Sequence, residues 1–299
     1  MDTAIIVPDM QSKALKVFDF MDIKETSRAD YKARLGMFTR FIEENGLTRN
    51  IFLEFKRELE CRADLSVSTK NKYLTTARIF LKELNRQGVV PVDITHNIKN
   101  FKASRKHKRE GLNDTEISAV SLKLRRYSTE PYETRLKAII ALLTLQGLRQ
   151  IEVTRLDVND IDFVNKTARI HGKGRDDDEP IDLHPETVKA LQEYLKSNRI
   201  ADGALFTSRS NNSRHQRLTT RALRGLVKDA LTELGINKTT HGFRHYFVTK
   251  LLQTYKGDLL EVARYSRHNS LEMLQVYNDN IKRKADLPRY YAAFSGVSF

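Results

Sequence analysis

Six polar side chains stand where regular apolar patterns would run as well without them. They are Arg149 in LQGLRQIEVTRL, Lys173 in HGKG, His241 and Arg244 in HGFRHYF, and His268 and Tyr277 in RHNSLEMLQVYND. Together these types could break a phosphodiester without a metal. The reaction needs a nucleophile, neutralisation of the non-bridging oxygens, and a proton for the departing sugar oxygen. Guanidinium groups suit the second task because their planar fork matches a pair of phosphate oxygens. Taken singly each residue has an ordinary reading: a surface arginine, a turn lysine, a core tyrosine with a hydrogen-bonded hydroxyl.

Other candidates are weaker. His241 and His245 are four residues apart and invite comparison with a zinc helix, but HGFRH lacks the glutamate of HExxH and puts Arg244 between them. No metal and no cofactor is expected. Tyr265, Tyr290 and Tyr291 are read as packing residues. The lone Cys61 cannot form an intrachain disulfide; its helical setting predicts a small packed residue in a reducing compartment.

The elements that must position these residues are mostly helices. Over the first hundred residues the periodicity predicts a short helix at 12–21, a longer one at 27–45 with Tyr31, Leu35, Phe38 and Ile42 on one face, a third at 49–62, and a fourth beginning near Ser68 and ending at Gly88. Asn113 and Glu116 have the spacing of a capping box at the start of a second domain. An apolar helix is expected at 134–146. TARIHGKG and DDDEPIDL then alternate like the two strands of a hairpin around a charged turn, and helical periodicity returns from Pro185 to about Lys284.

Of the 299 residues 40% are hydrophobic and 30% charged, enough for a soluble chain of two domains. Lys and Arg number 52 against 38 Asp and Glu, a formal charge of +14 that suits a polyanionic partner, nucleic acid before others; a merely basic soluble protein is the competing reading. No stretch approaches the ~20 apolar residues of a membrane span, and MDTAIIVPDM lacks the pattern of a secretion signal, so no membrane partner is expected and the cytoplasm is. Lys70, Lys72 and Arg78 stand near the start of a helix, where phosphates meet free amides, or else line a solvated face. KASRKHKR at 102–109, with Arg105, Lys106 and Lys108, is too polar for a core and reads as a basic linker. Arg221, Arg224 and Lys228 recur at three and four, as on a helix for a major groove.

In the order Arg, Lys, His-x-x-Arg, His, Tyr the chain resembles the tyrosine recombinase, or phage integrase, family over most of its length. The strings that carry the resemblance are LQGLRQIEVTRL with Glu152 three residues after Arg149, the lysine of HGKG, HGFRHYFVTKLL, and His268 nine residues before Tyr277. VSTKNKYLTTARIFLKELNRQGVV looks like the last helices of the family's core-binding domain.

The resemblance implies a mainly α fold with a small β-sheet. It implies a SAM-like helical core-binding domain at 1–101, a basic linker at 102–111, and a catalytic domain at 112–299 whose tail docks on a neighbouring protomer, the whole forming a C-shaped clamp around DNA. By the same resemblance Tyr277 attacks phosphorus to give a 3'-phosphotyrosine, Arg149 and Arg244 hold the non-bridging oxygens, and Lys173 protonates the leaving 5'-oxygen. His241 and His268 hydrogen-bond the phosphate or move the tyrosine proton, and Glu152 orients Arg149.

The expected partners are double-stranded DNA with specific recombination sites, a homo-tetramer on paired sites, and accessory directionality proteins; the place is the cytoplasm, on the nucleoid. The expected outcome is integration, excision or resolution through a Holliday junction. With the core-binding pattern starting about thirty residues in and no arm-binding module before it, an Xer-like or transposon-type enzyme is favoured. A type IB topoisomerase and a catalytically silent DNA-binding factor are the alternatives. One departure stands out: the family usually has glycine before this histidine and here Arg267 occupies the place, expected to alter the turn or add a phosphate contact.

Overall fold

The computed structural model describes residues 16–102, 111–127, 129–172, 178–210, 215–268, 270–293 and 295–296, without the side chains of 280 and 284. The chain divides into two compact units, Met1–Arg105 and Lys106–Phe299, each with its own core.

The smaller unit has a 3-10 turn at Phe18–Phe20 followed by α1 (Glu25–Asn45), α2 (Ile51–Cys61) and α3 (Val67–Arg86). Leu35, Phe38 and Ile42 of α1 fall on one face at intervals of three and four and are buried, because that face packs on Phe52, Phe55 and Leu59 of α2 and on Phe80 of α3. The rings of Phe38 and Phe55 are 4.7 Å apart, and Phe38 meets Phe80 edge-on at 6.3 Å. The cap of α3 is Ser66 rather than Ser68: its hydroxyl accepts from the Thr69 amide at 3.2 Å, so Ser68 falls inside the first turn. Cys61 corrects a second expectation. It ends α2 on the face away from Phe55 and Leu59 and is exposed. Of the short helix expected at 12–21, residues 12–15 lie outside the described residues and the rest ends in the 3-10 turn.

The larger unit opens with α4 (Asp114–Arg125), capped by the expected reciprocal pair: Asn113 Oδ1 accepts from the Glu116 amide and Glu116 Oε2 from the Asn113 amide, both at 2.8 Å. Next come α5 (Pro131–Leu145) and the short α6 (Gln150–Arg155). α5 has proline in its first turn and is buried on several sides, through Leu136, Ile139, Ile140, Leu142 and Leu143. The small sheet has three antiparallel strands, β1 (Ile161–Asp162), β2 (Thr167–His171) and β3 (Asp178–Asp182), in the order β1-β2-β3. The alternation of β2 buries Ala168 and Ile170 and exposes Arg169.

Five further helices are described: α7 (Pro185–Asn198), α8 (Thr220–Thr232), α9 (Thr240–Thr254), α10 (Leu259–Ser266) and α11 (Leu271–Ala292). The last three enclose a satellite core of Val248, Leu252, Val262, Leu274 and Tyr277. The fold is thus mostly helical with one small sheet, and among the described residues no helix is long and apolar enough to cross a membrane.

Gly147, between α5 and α6, sets the approach of α9. Its φ is +57°, and a Cβ there would stand 2.2 Å from the ring of Phe247. Glycine resolves both constraints, a left-handed backbone and no room for a side chain. Gly147→Ala should lower stability by about 1–3 kcal/mol through strain and overpacking; a urea denaturation midpoint equal to wild type would refute this.

Candidate active site

The site is assembled from the ends of four helices of the larger unit. Arg149 is the N-cap residue of α6, and Glu152, one turn on, folds back over that end. The carboxylate is only 1% exposed and meets three donors. Its Oε1 accepts from Arg149 Nη1 at 2.7 Å; its Oε2 accepts from the Arg149 amide and from Arg267 Nη2, each at 2.8 Å. Burial by itself would raise the pKa of this acid. The charge of Arg267, then the amide and guanidinium of Arg149, outweigh it, and the net shift is downward. Glu152 is therefore a buried carboxylate with two cations on it.

Arg244 lies near the start of α9 and is 3% exposed. It donates from Nη1 to the carbonyl of Gly147 at 2.7 Å and from Nη2 to the carbonyl of Ser266 at 2.6 Å, so the guanidinium plane is pinned between two loops. Burial, then the charge of Arg149, brings its pKa down to about 10, which still leaves it cationic at neutral pH. Within electrostatic reach of one another are three guanidiniums, those of Arg149, Arg244 and Arg267, and one carboxylate, and the excess positive charge suits an incoming anion.

Ser266 ties this arginine to His268. Its carbonyl anchors Arg244, while its hydroxyl lies 2.8 Å from His268 Nδ1. Burial, followed by the charges of Arg244, Arg149 and Arg267, depresses His268 to about 3, so the imidazole is neutral. Between these two residues Arg267 adopts φ +54°, the left-handed conformation at the C-terminus of α10, with its amide on the carbonyl of Ala263 at 2.8 Å. The departure at this position thus preserves a turn that glycine would accept, and it sends the guanidinium to Glu152.

Tyr277 sits in the second turn of α11 and packs into the satellite core at 8% exposure. Burial pushes its phenol up to about 12, with Arg244 pulling the other way. The phenol is accordingly protonated at neutral pH and needs a base in order to attack. Its hydroxyl lies 3.3 Å from Nε2 of His245, a contact at the long end of hydrogen bonding. The exposed His241, one turn earlier on α9, meets the ring of His245 edge-on at 4.5 Å.

The structure therefore gathers Arg149, Glu152, Arg244, His268 and Tyr277, with His241 at the edge. Lys173 lies outside the described residues; the pair His171↔Asp178 brackets the stretch that contains it. Sequence reasoning missed the roles of three residues. His245 was considered only as a zinc ligand, although its spacing from His241 puts both on one face. Ser266 carried no signal in its spacing, and the side chain of Arg267 could not be aimed without knowing its backbone. Among the described residues no cluster of His, Cys, Asp or Glu is arranged to hold a metal ion.

The residues expected to touch DNA divide into four groups. Lys72, Arg221 and Arg224 are exposed, the last two on α8, whose cap Thr219 accepts from the Ala222 amide at 3.2 Å. Lys70 donates to the Glu60 carbonyl at 2.9 Å. Arg78 is committed inside its own unit and corrects the expectation of a phosphate ligand: it donates to Asn100 at 2.7 Å and to the carbonyl of Ile98 at 2.6 Å, with its guanidinium 5.2 Å from the Phe52 ring centre. Arg105, Lys106 and Lys108 lie outside the described residues. Tyr265, Tyr290 and Tyr291, expected to pack, are 40%, 57% and 63% exposed.

The pattern of the phage integrase family matches residues 116–284, the stretch that carries every residue of this site. The chain is 30% identical over 275 residues to tyrosine recombinase XerC of Roseiflexus sp. (strain RS-1), covering 87% of this chain and 85% of that one. It is also similar in fold, at 20% identity and a TM-score of 0.76, to XerH site-specific recombinase bound to palindromic difH substrate, over 93% of this chain and 84% of that one. A second similar fold is a lambda integrase dimer bound to a COC' core site, with 13% identity, a TM-score of 0.68 and coverage of 91% and 95%.

The depressed pKa of His268 has a consequence for stability. Between its ordinary value of 6.5 and about 3, the unfolded chain binds a proton that the folded site refuses, so stability is lost as pH falls through that window. His268→Gln should flatten the fall. Unfolding midpoints measured from pH 7 to pH 4 should converge for the two proteins, and parallel curves would refute the assignment.

Proposed function

The chain belongs to the phage integrase family of tyrosine recombinases, and from that premise we propose that the gathered arginines, histidines and Tyr277 are the active site with which it cuts and rejoins DNA at specific sites. The observation that carries the reading is the convergence of Arg149, Arg244 and His268 with the buried phenol of Tyr277. A scissile phosphate fits among them as the missing anion. Arg149 and Arg244 take its non-bridging oxygens in bidentate fashion, which lowers the barrier to attack by an oxygen nucleophile.

As Tyr277 Oη bonds to phosphorus, its proton passes to His245, the base in contact with it, with His241 and His268 available to the phosphate. The bond from phosphorus to the 5'-oxygen breaks, and Lys173 supplies the proton that this oxygen takes up. The 3'-phosphotyrosine keeps the energy of the broken ester. A 5'-hydroxyl of another strand can therefore reverse the reaction and restore a phosphodiester through a Holliday junction, with no nucleotide hydrolysed.

Residues 1–101 serve as the helical core-binding domain, 102–111 as the linker and 112–299 as the catalytic domain. Lys70, Lys72, Arg105, Lys106, Lys108, Arg221 and Arg224 supply backbone and groove contacts to the duplex. The working form is a homo-tetramer on two paired sites, steered by accessory directionality proteins and acting in the cytoplasm on the nucleoid. The exposed tyrosines at the far end of α11 support its docking on a neighbouring protomer.

The site is found and tested in two steps. Source genomic DNA is sheared and incubated with the protein in EDTA, the mixture is quenched with detergent, and covalently retained fragments are sequenced. A nicked duplex of the recovered sequence should then trap a stable adduct on Tyr277. Tyr277→Phe should lose the adduct entirely while still binding the duplex. An adduct on any other tyrosine, or none in EDTA, would overturn the assignment.

A further inference from the structure

We propose that Arg267 is a positioning residue of the recombination reaction: through Glu152 it fixes the orientation of Arg149 toward the scissile phosphate. The inference rests on the reading above and deepens it.

The geometry is a buried chain of three side chains. Arg149 holds one oxygen of Glu152 and Arg267 holds the other, at 2.7 and 2.8 Å. Arg149 is partly open to solvent, with 35% of its side chain exposed, whereas Glu152 and Arg267 are 1% and 4% exposed. The solvent-facing end of the chain is thus the guanidinium that meets substrate, and the sealed end is Arg267.

A carboxylate taken out of water stays ionised only where cations and donors compensate for the lost hydration. The charge of Arg267 is the largest single one of those influences on Glu152, beside the three that Arg149 exerts through its amide, its hydrogen bond and its charge. Without it the acid would keep a single guanidinium, drift toward its neutral form and hold Arg149 more loosely. A small misplacement of a group that neutralises transition-state charge is costly to the rate and nearly neutral to binding.

Arg267 ends α10 in the left-handed conformation, as Arg199 ends α7, so the turn itself asks for no particular side chain and the contact with Glu152 is what distinguishes Arg267. The two residues beside it are also committed to the site, Ser266 to Arg244 and His268 to the hydroxyl of Ser266. Arg267 further feels the charge of Glu179 on β3, the strand that follows the stretch containing Lys173. One turn therefore braces both arginines.

The test compares Arg267→Gly, Arg267→Lys and wild type on the nicked duplex. Glycine accepts the left-handed backbone, so the variant should fold. The wild-type adduct at Tyr277 is read first and reports on the chemistry itself. Arg267→Gly should then form adduct at least about 10-fold more slowly at saturating DNA, with the Kd for the duplex within about 2-fold of wild type. Arg267→Lys, which keeps a charge beside Glu152, should recover most of the rate.

A second duplex with an uncharged methylphosphonate at the scissile position distinguishes positioning from general loosening. There the difference between Arg267→Gly and wild type should shrink to about 2-fold or less, because one of the two non-bridging oxygens and the resting negative charge that the arginines neutralise are gone. An Arg267→Gly variant that cleaves at the wild-type rate, or that is slowed equally on both duplexes, would overturn the proposal.

Discussion

The larger unit is organised around a carboxylate that water does not reach. Glu152 stays ionised only because two guanidiniums and an amide close on it, and this requirement fixes where two separate pieces of chain must lie. It brings the start of α6 against the end of α10. The carbonyls of Gly147 and Ser266, on those same two pieces, then bind Arg244 and draw α9 into place. A buried ion cluster of this kind is a poor source of net stability, since desolvation offsets most of its Coulomb attraction. Its value is geometric: few other arrangements of the same chain would satisfy it.

The proposed nucleophile obeys the opposite logic. Tyr277 is packed among Val248, Leu252, Val262 and Leu274, and that apolar setting keeps its proton on. At rest the protein holds a protonated phenol, with the neutral His268 and an excess of positive charge in the same site. In the proposed reaction the arrival of a phosphate changes the balance, because the arginines gain a partner and the phenol an electrophile in the same event.

Much of this could be read from the residues. Helix faces such as Leu35, Phe38 and Ile42 followed from spacing, and the capping box at Asn113 from two letters and an interval. The order of polar residues singled out Arg149, Arg244, His268 and Tyr277, because no structural role demands those types in that succession. What stayed hidden depends on distance in the chain or on backbone sign. Arg78 bonds to residues 20 and 22 positions away, and no periodicity announces such a return. The two-residue β1 is too short to alternate. The destination of Arg267 depends on a positive φ that sequence would assign to glycine, and the histidine touching Tyr277 could be found only once α9 and α11 were packed. The turn lysine lies outside the described residues, so its place beside the site rests on the family pattern.

Tyr277 belongs to an unbroken helix that continues to Ala292. At ~1.5 Å per residue the remaining fifteen residues reach about 22 Å beyond it. The rod has one weak rung, since Pro288 has no amide hydrogen to offer the carbonyl of residue 284. Bending is therefore concentrated toward the distal end, and the stretch from the phenol to that rung behaves as a stiff lever. A rotation imposed near the rung would therefore be passed along the helix to the turn that carries Tyr277.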